Sequence, residues 1–270
     1  MFEVSAAAAS VSGHGEDQNE DRVGAFGTAE LARAGAVICD GVGSAEGSAE
    51  IAAQVRDLAM DQLRGAGVEA GIWQLGGMLA GATLAGDGQA TTLLAISTDE
   101  SGLVGHALVG NGSIIELEAS RPRPELVRLR WTDVVLPQMD WSEGRPVLRS
   151  FVDAGGAVEV AKGLRETPPG QMRIYLACSD GIASDEERAQ GAASDERVWK
   201  EVPRQLVRVL DRLGGDWDRL AEAPAGELGD LLGAALAETL DQLLAEDLID
   251  DDSSLAAVLV RPRPLGESPG

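Results

Sequence analysis

Two aspartates that each follow a short apolar run are the residues of this sequence best suited to chemistry. Asp40 follows the run Val37–Cys39, Asp180 follows the run Arg173–Cys178 after one serine, and a glycine comes directly after each. Valine and isoleucine favour buried strands, so each acid would stand at the tip of a strand inside the protein. A carboxylate there is costly unless a cation neutralises it, which indicates half of a metal site. A simple Asp-Gly turn is the alternative interpretation.

Two further acidic segments border predicted strands near the ends of the chain. Glu20 and Asp21 precede the run Arg22–Phe26, and Asp251 lies shortly before Leu255–Val260. If these strands are neighbours, the four carboxylates at their ends converge and repel one another, so the cluster is expected to hold one or two divalent cations. These positions carry neither histidine nor cysteine, and an all-oxygen ligand set favours Mg²⁺ or Mn²⁺ over Zn²⁺.

Five short motifs occur in an order that resembles a known family. They are Asn19-Glu20-Asp21, Asp40-Gly41-Val42-Gly43, Gly110-Asn111-Gly112-Ser113, Ser179-Asp180-Gly181 and Asp251-Asp252-Ser253-Ser254. In this order, and beside predicted strands, they resemble the type 2C metal-dependent serine/threonine protein phosphatases (PPM), and most of all the bacterial branch of that family. The resemblance covers nearly the whole chain.

The resemblance implies a fold and an activity. The fold class would be α+β, a four-layer α-β-β-α sandwich of two mostly antiparallel sheets flanked by helices, with the metal centre at one end. The activity would be hydrolysis of phosphoserine and phosphothreonine in proteins, with two Mg²⁺ or Mn²⁺ ions as cofactors. Two such cations lower the pKa of a bridging water and neutralise the phosphate, so no protein nucleophile is required. The implied partner is a phosphoprotein substrate of a serine/threonine kinase.

Metal ligands follow from the same resemblance. Asp40 matches the aspartate that bridges both ions, and the carbonyl of Gly41 would bind the first ion. Asp180 and Asp251 match ligands of the second ion. Asp251 is chosen over its acidic neighbours because Ser254 then falls where the family has threonine or serine.

The acids before the second strand complete the implied centre. Asp21 matches the acid that orients metal-bound water, and Glu20 matches the acid beside it, so both are counted with the metal site. The catalytic set is therefore Asp21, Asp40, Asp180 and Asp251.

Three positions depart from the family pattern. Glu16 stands where members often carry an arginine that grips phosphate, and His14 in the same loop is the candidate substitute for substrate binding. Asn111 and Ser184 replace two acids that feed a third, weaker metal site in bacterial members, so we expect that site to be missing. The departures leave two alternatives open: a catalytically weak or inactive regulatory module on the same scaffold, or a hydrolase of a small phosphate ester.

Composition limits the class of protein. The chain has 270 residues, a net charge of −23 and only 3% aromatic residues, so its core must consist of aliphatic side chains. The charge argues against nucleic acid and anionic membranes as partners. We expect a single domain over residues 1–261 and a disordered tail over 262–270. We also expect a cytoplasmic location, because no targeting segment is recognisable.

Hydrophobic periodicity predicts the elements that position the acids. Strands are predicted at Phe2–Val11, Arg22–Phe26, Ala36–Cys39, Thr91–Ile96, Leu103–Val109, Ser113–Leu117, Arg173–Ser179 and in a last strand that ends at Val260. Helices are predicted after Asp40, within Gly71–Gly86, and at Val198–Leu213 and Glu227–Leu248. Cys39 and Cys178 are expected to be buried on opposite faces and to stay reduced.

The region from Ala119 to Arg165 has no clear period and is predicted to be extended loops with short edge strands beside the site. Arg121, Arg123, Arg128 and Arg130 form a basic stripe within it. The stripe is either a set of solvated edge residues or a grip for a phosphorylated or acidic segment.

Overall fold

The computed structural model describes residues 1–13, 18–28, 32–42, 47–81, 84, 89–123, 126–135, 137–142, 145–153, 159–182, 204–249 and 251–263. The strands are β1 (Phe2–Val11), β2 (Arg22–Thr28), β3 (Arg33–Cys39), β4 (Gly41–Val42), β5 (Ala90–Thr91), β6 (Leu93–Asp99), β7 (Leu103–Val109), β8 (Ser113–Arg123), β9 (Leu126–Val135), β10 (Met139–Ser142), β11 (Arg145–Leu148), β12 (Val152–Asp153), β13 (Ala161–Glu166), β14 (Arg173–Cys178) and β15 (Ser253–Pro262). The helices are α1 (Ser48–Gly65), α2 (Val68–Gly81), α3 (Arg204–Glu222) and α4 (Leu228–Ala245), and a 3₁₀ turn (Ala225–Glu227) precedes α4.

Two five-stranded sheets form the centre of the fold. The first has the strand order β1-β15-β14-β8-β9, and the second has the order β13-β7-β6-β3-β2. Neighbouring strands are antiparallel in both sheets. A three-stranded sheet with the order β12-β5-β4 and the separate hairpin β10-β11 complete the described strands.

Three apolar layers hold the sheets and helices together. Alternate residues of the two sheets, such as Ile38 and Val258, fill the space between them. The outer face of the first sheet packs against α3 and α4, where Leu213 and Leu236 are fully buried. The outer face of the second sheet packs against α1 and α2. The predicted four-layer α-β-β-α sandwich is thereby confirmed.

The two cysteines lie in different outer layers. Cys39 packs with the residues of α1 and α2, whereas Cys178 packs with the residues of α3 and α4. Both are buried and free, as predicted. Burial raises the pKa of the Cys178 thiol to about 12, so this side chain is an uncharged packing residue.

Three helices agree with the predicted pattern. α1 buries Ile51, Val55 and Leu63, and α2 and α4 bury leucines at helical spacing. None of the helices in the described ranges has both the length and the apolar character needed to cross a lipid bilayer.

Helix α3 extends beyond the end predicted for it. The prediction ended this helix at Leu213, which is wrong, because it continues across two glycines to Glu222. Trp217 and Leu220 extend its buried face. Their burial outweighs the cost of a glycine in a helix interior, which is about 1 kcal/mol. The predicted start of the helix lies outside the described residues.

Much of the region predicted as loops is sheet. β8 continues to Arg123 and pairs with the whole of β9, so the prediction of short edge strands is wrong for residues 119–135. In β9 apolar side chains such as Leu129 alternate with the exposed Arg128 and Arg130, and these charges hide the strand pattern. Arg121 forms an ion pair with Asp218 of α3 at the protein surface.

The last strand also exceeds its prediction. β15 ends at Pro262 rather than Val260, and the backbone N–H of Arg263 donates to the carbonyl of Met1. Residues 264–270 of the predicted tail lie outside the described residues.

A buried ion pair joins the first and the last described strands. Arg261, which is 3% exposed, donates to the carboxylate of Glu3 at 2.5 and 2.8 Å. The same guanidinium donates to the carbonyls of Leu220, Ala221 and Ala223, at and just beyond the end of α3. One side chain therefore connects β1, β15 and α3.

We expect Arg261→Met to lower the free energy of unfolding by about 3–5 kcal/mol, the range found when one partner of a buried ion pair is removed. The substitution leaves the Glu3 carboxylate and three carbonyls without their donor. Urea unfolding followed by circular dichroism measures the change. The control is Arg208→Met, which breaks the more exposed pair with Glu246 and should cause a much smaller loss. Equal losses in the two variants would contradict the role given to Arg261.

Candidate metal centre

Sheet register brings the predicted acids to one end of the sandwich. β2 pairs with β3 so that Asp21 and Asp40 lie side by side just beyond the ends of the two strands. β14 pairs with β15 so that Asp180 neighbours Asp251 and Asp252. The ends of the two sheets meet, because Asp21 feels the charges of Asp180 and Asp252. All four acids of the predicted catalytic set are therefore together.

A cavity of about 480 Å³ lies at this end. Carboxylates line much of its described wall, contributed by Glu20, Asp40, Asp180, Asp251 and Asp252. The remaining lining residues are Gly41, Val42, Asn111, Met139 and Leu148. Lysine, arginine and histidine are missing from the described part of this wall.

Asp21 is buried behind the cavity wall and is 3% exposed. The side chain of Asn19 accepts the backbone N–H of Asp21 at 2.8 Å. Neither carboxylate oxygen of Asp21 has a hydrogen-bond partner in the described chain, and the buried hydroxyl of Ser254 is likewise unpaired. Burial, together with the charges of Asp252 and Asp180, raises the pKa of Asp21 to about 7.

The neighbouring acids are perturbed in the same direction. Burial, with the charges of Asp21 and Asp180, raises the pKa of Asp40 well above its usual range. Burial also raises the pKa of Asp180, and the charge of Asp251 adds to the effect. A proton or a bound cation would relieve this repulsion.

Two threonines that the sequence analysis assigned only to a strand fix the turn at Asp40. The hydroxyl of Thr91 and the N–H of Thr92 donate to the Asp40 carbonyl at 2.7 and 2.8 Å. A Cβ on Gly41 would lie 2.9 Å from the Cβ of Ser48, so glycine is required where α1 approaches this turn. The signal in the sequence is a pair of hydroxyls beside a predicted strand, which is weak because threonine is common in strands.

Asp252 has a structural task that distinguishes it from Asp251. Its two oxygens accept the backbone N–H groups of Gly13 and Glu20 at 3.1 and 2.5 Å, and it is 7% exposed. It therefore ties both ends of the N-terminal loop to β15. Asp251 is exposed at the cavity, and its carboxylate accepts only the N–H of Asp252 among the hydrogen bonds of the described residues. This difference supports Asp251 as the ligand.

Asn111 holds Asp180 in place. Its side-chain NH₂ donates to an Asp180 carboxylate oxygen at 2.6 Å, and its buried side-chain oxygen has no partner among the described residues. An ionised aspartate at position 111 could not donate this hydrogen bond. Asn111, which departs from the family pattern, therefore holds the predicted ligand Asp180 through an uncharged hydrogen-bond donor.

The donor set fits a hard divalent cation. All the candidate donors are oxygens, and the two oxygens of Asp21 have no hydrogen-bond partner among the described residues. The pKa values of three acids are raised by burial and further by neighbouring carboxylates. As the side chains stand, no three acidic, histidine or cysteine residues in the described ranges meet the geometry of an ion-binding group.

Some predicted site residues cannot be placed at the cavity. His14, Glu16 and Ser184 lie outside the described residues. Arg22 is turned to the backbone, where it donates to the carbonyls of Asn19 and Asp21. In the basic stripe Arg130 pairs with Glu118, roughly 23 Å from Asn111 along β8 at a rise of about 3.3 Å per residue. This separation favours the interpretation of the stripe as solvated edge residues.

Comparisons with known proteins agree with this architecture at the level of structure. No protein-family model and no curated protein matches the sequence. The catalytic domain of the serine/threonine protein phosphatase PstP, in complex with two manganese ions, is 18% identical with a TM-score of 0.60, over 97% of this chain and 100% of that domain. This chain has the PPM phosphatase fold.

Two further solved structures are also similar to this chain in fold. The PPM phosphatase MsPP from Mycobacterium smegmatis, in complex with cacodylate, is 14% identical with a TM-score of 0.58, over 94% of this chain and 97% of that one. RsbX in complex with magnesium is 12% identical with a TM-score of 0.54, over 96% of this chain and 100% of that one. At these identities the likeness extends to the fold.

We expect the melting temperature of the metal-free protein to fall as the pH rises from about 5 to about 7.5. The folded pKa of Asp21 lies near 7, above its ordinary value of 3.8, so its protonated form is the one that folding favours. The stability that this proton provides is complete below pH 4 and is lost as the pH rises through 7.

Saturating Mn²⁺ should remove this fall, because the cation takes the place of the proton. Differential scanning fluorimetry with chelator or Mn²⁺ at each pH measures both trends. Asp21→Asn is the control and should make the metal-free curve less steep, while the raised pKa values of Asp40 and Asp180 keep part of the fall. A slope that neither Mn²⁺ nor Asp21→Asn changes would contradict the origin assigned to it.

Asp251→Asn and Asp252→Asn should have different effects. The first should weaken Mn²⁺ binding by roughly tenfold or more and leave the metal-free melting temperature nearly unchanged. The second leaves one of the two backbone N–H groups facing an amide NH₂, which cannot accept its hydrogen bond, and should cost about 1–3 kcal/mol of stability in chelator. Calorimetric Mn²⁺ titration and metal-free melting separate the two effects, and the reverse pattern would make Asp252 the ligand.

Proposed function

We propose that this protein is a Mg²⁺/Mn²⁺-dependent phosphatase that hydrolyses phosphoserine and phosphothreonine in proteins. The observation that carries the proposal is the meeting of Asp40, Asp180 and Asp251 at one cavity of a PPM phosphatase fold, with Asp21 buried beside Asp40. Three of these acids have raised pKa values and so lack a counter-charge. A structural acidic patch would instead be expected to lie in solvent with ordinary pKa values.

The acids at the cavity would have different roles in such a reaction. Two divalent cations bound here would activate water and neutralise the phosphate. Asp40 and the Gly41 carbonyl would hold the first ion, and Asp40, Asp180 and Asp251 the second. Asp21, buried and unpaired next to Asp40, would orient water by accepting its hydrogen.

A second candidate is a regulatory module that binds without hydrolysis. It is favoured by the lack of any cationic side chain in the described cavity wall, since a phosphate dianion would then meet carboxylates first. The activity of the wild-type protein distinguishes the two candidates.

We expect the wild-type protein to release phosphate from a phosphothreonine peptide only when Mn²⁺ or Mg²⁺ is present. Asp40→Asn should lower the rate by roughly a hundredfold or more, because an amide is a poor bridge between two dications. Asp57→Asn, at an exposed acid on α1, is the control and should leave the rate unchanged. Phosphate release with malachite green detection measures all three proteins.

The outcomes separate the candidates. A rate for Asp40→Asn above a tenth of wild type would overturn the two-metal assignment. Absence of metal-dependent release from the wild type, in a protein that Mn²⁺ still stabilises, would favour the regulatory module.

A further inference from the structure

The hairpin β10-β11 supplies an apolar wall to an otherwise acidic cavity. Met139 and Leu148 are direct partners at the base of this hairpin, and both line the cavity beside Asn111 and Asp180. Neither belongs to the three apolar clusters that the described residues form. Their apolar surface is thus unexplained by packing of the core.

The first end of the hairpin is anchored to the turn that carries Asn111. The N–H of Gln138 donates to the carbonyl of Gly110 at 2.7 Å, and the side-chain oxygen of Gln138 accepts the N–H of Gly110 at 3.0 Å. The carbonyl of Gln138 accepts the N–H of Arg149 across the hairpin base at 2.9 Å. Gln138 is 3% exposed, so this connection is shielded from water.

The second end is anchored to the turn that carries Asp40. β12, which follows the hairpin, pairs with β5, and β5 pairs with β4 directly after Asp40. Val152 in β12 is fully buried in the layer below α1 and α2. The base of the hairpin is therefore held between the two turns that bear Asp40 and Asn111, and its wall has a fixed position relative to the acids.

We propose that Met139 and Leu148 select phosphorylated segments that carry a large apolar residue next to the phosphoserine or phosphothreonine. The proposal rests on the proposed function and names the substrate class of that site. An apolar neighbour would lose contact with water against these two side chains, which favours binding. An acidic neighbour would be placed against an apolar wall and near Asp180, where its charge is neither solvated nor paired.

The test is binding of short peptides that contain a non-hydrolysable phosphonate analogue of phosphothreonine, in the presence of Mn²⁺. The peptides differ only in the two residues that flank the analogue, which are leucine, serine or aspartate. Fluorescence anisotropy should give a Kd for the leucine peptide roughly tenfold below that of the serine peptide, the effect of partly burying one leucine side chain. The aspartate peptide should bind more weakly than either.

Met139→Ala combined with Leu148→Ala should abolish the preference for leucine, and each single variant should reduce it. Leu126→Ala is the matched control, because it removes a partly exposed leucine at the other end of the first sheet and should keep the preference. Melting curves confirm that the variants fold, and the single variants serve if the double variant does not.

Hydrolysis of the matching phosphothreonine peptides is measured separately. Equal binding of the three peptides by the wild type, or a preference that survives loss of both side chains, would overturn the proposal whatever the hydrolysis result. Selective binding without hydrolysis would support the apolar wall and count against the phosphatase function.

Discussion

The mutual repulsion of aspartates gathered at one end of the sandwich is the constraint on which this site depends. Asp21, Asp40 and Asp180 each have a raised pKa, with burial as the main cause and the other acids as contributors. A flexible chain would relieve this repulsion by moving the acids apart. The strands cannot do so, because their register is fixed by three continuous apolar layers. The free energy gained by packing the apolar layers thus offsets the unfavourable free energy of holding the buried acids close together.

Uncharged hydrogen-bond donors hold the turns that carry the aspartates, and they do not neutralise the carboxylates. Thr91 and Thr92 bind the backbone of Asp40, and backbone N–H groups bind the carboxylate of Asp252. Asn111 binds Asp180 through an amide. An arginine in any of these places would form an ion pair and lower the affinity of the acids for a metal. Support by uncharged groups keeps the negative charge available for a cation.

Sequence reasoning predicted the parts of this site that depend on short, local patterns of apolar and acidic residues. Asp40 follows an apolar run directly and Asp180 follows one after a single serine, so their position at strand ends could be inferred. Other features depend on contacts between distant segments, and no local sequence period predicts them. They are the threonines that bind Asp40, the hydrogen bonds from the N-terminal loop to Asp252, and the hairpin that begins at Met139. The extension of α3 was missed for a related reason, because burial of Trp217 overrides the low helix propensity of the glycines before it.

The amide at position 111 bears on how many ions this end of the protein can hold. Six carboxylates lie at this end of the sandwich, those of Glu20, Asp21, Asp40, Asp180, Asp251 and Asp252. Their combined charge when ionised exceeds that of two divalent cations. An acid in place of Asn111 would add a further charge within hydrogen-bond distance of Asp180 and would favour an additional cation there. The amide instead donates a hydrogen bond to Asp180 and adds no charge. The expectation of a site without a third ion therefore agrees with the neutral side chain at position 111.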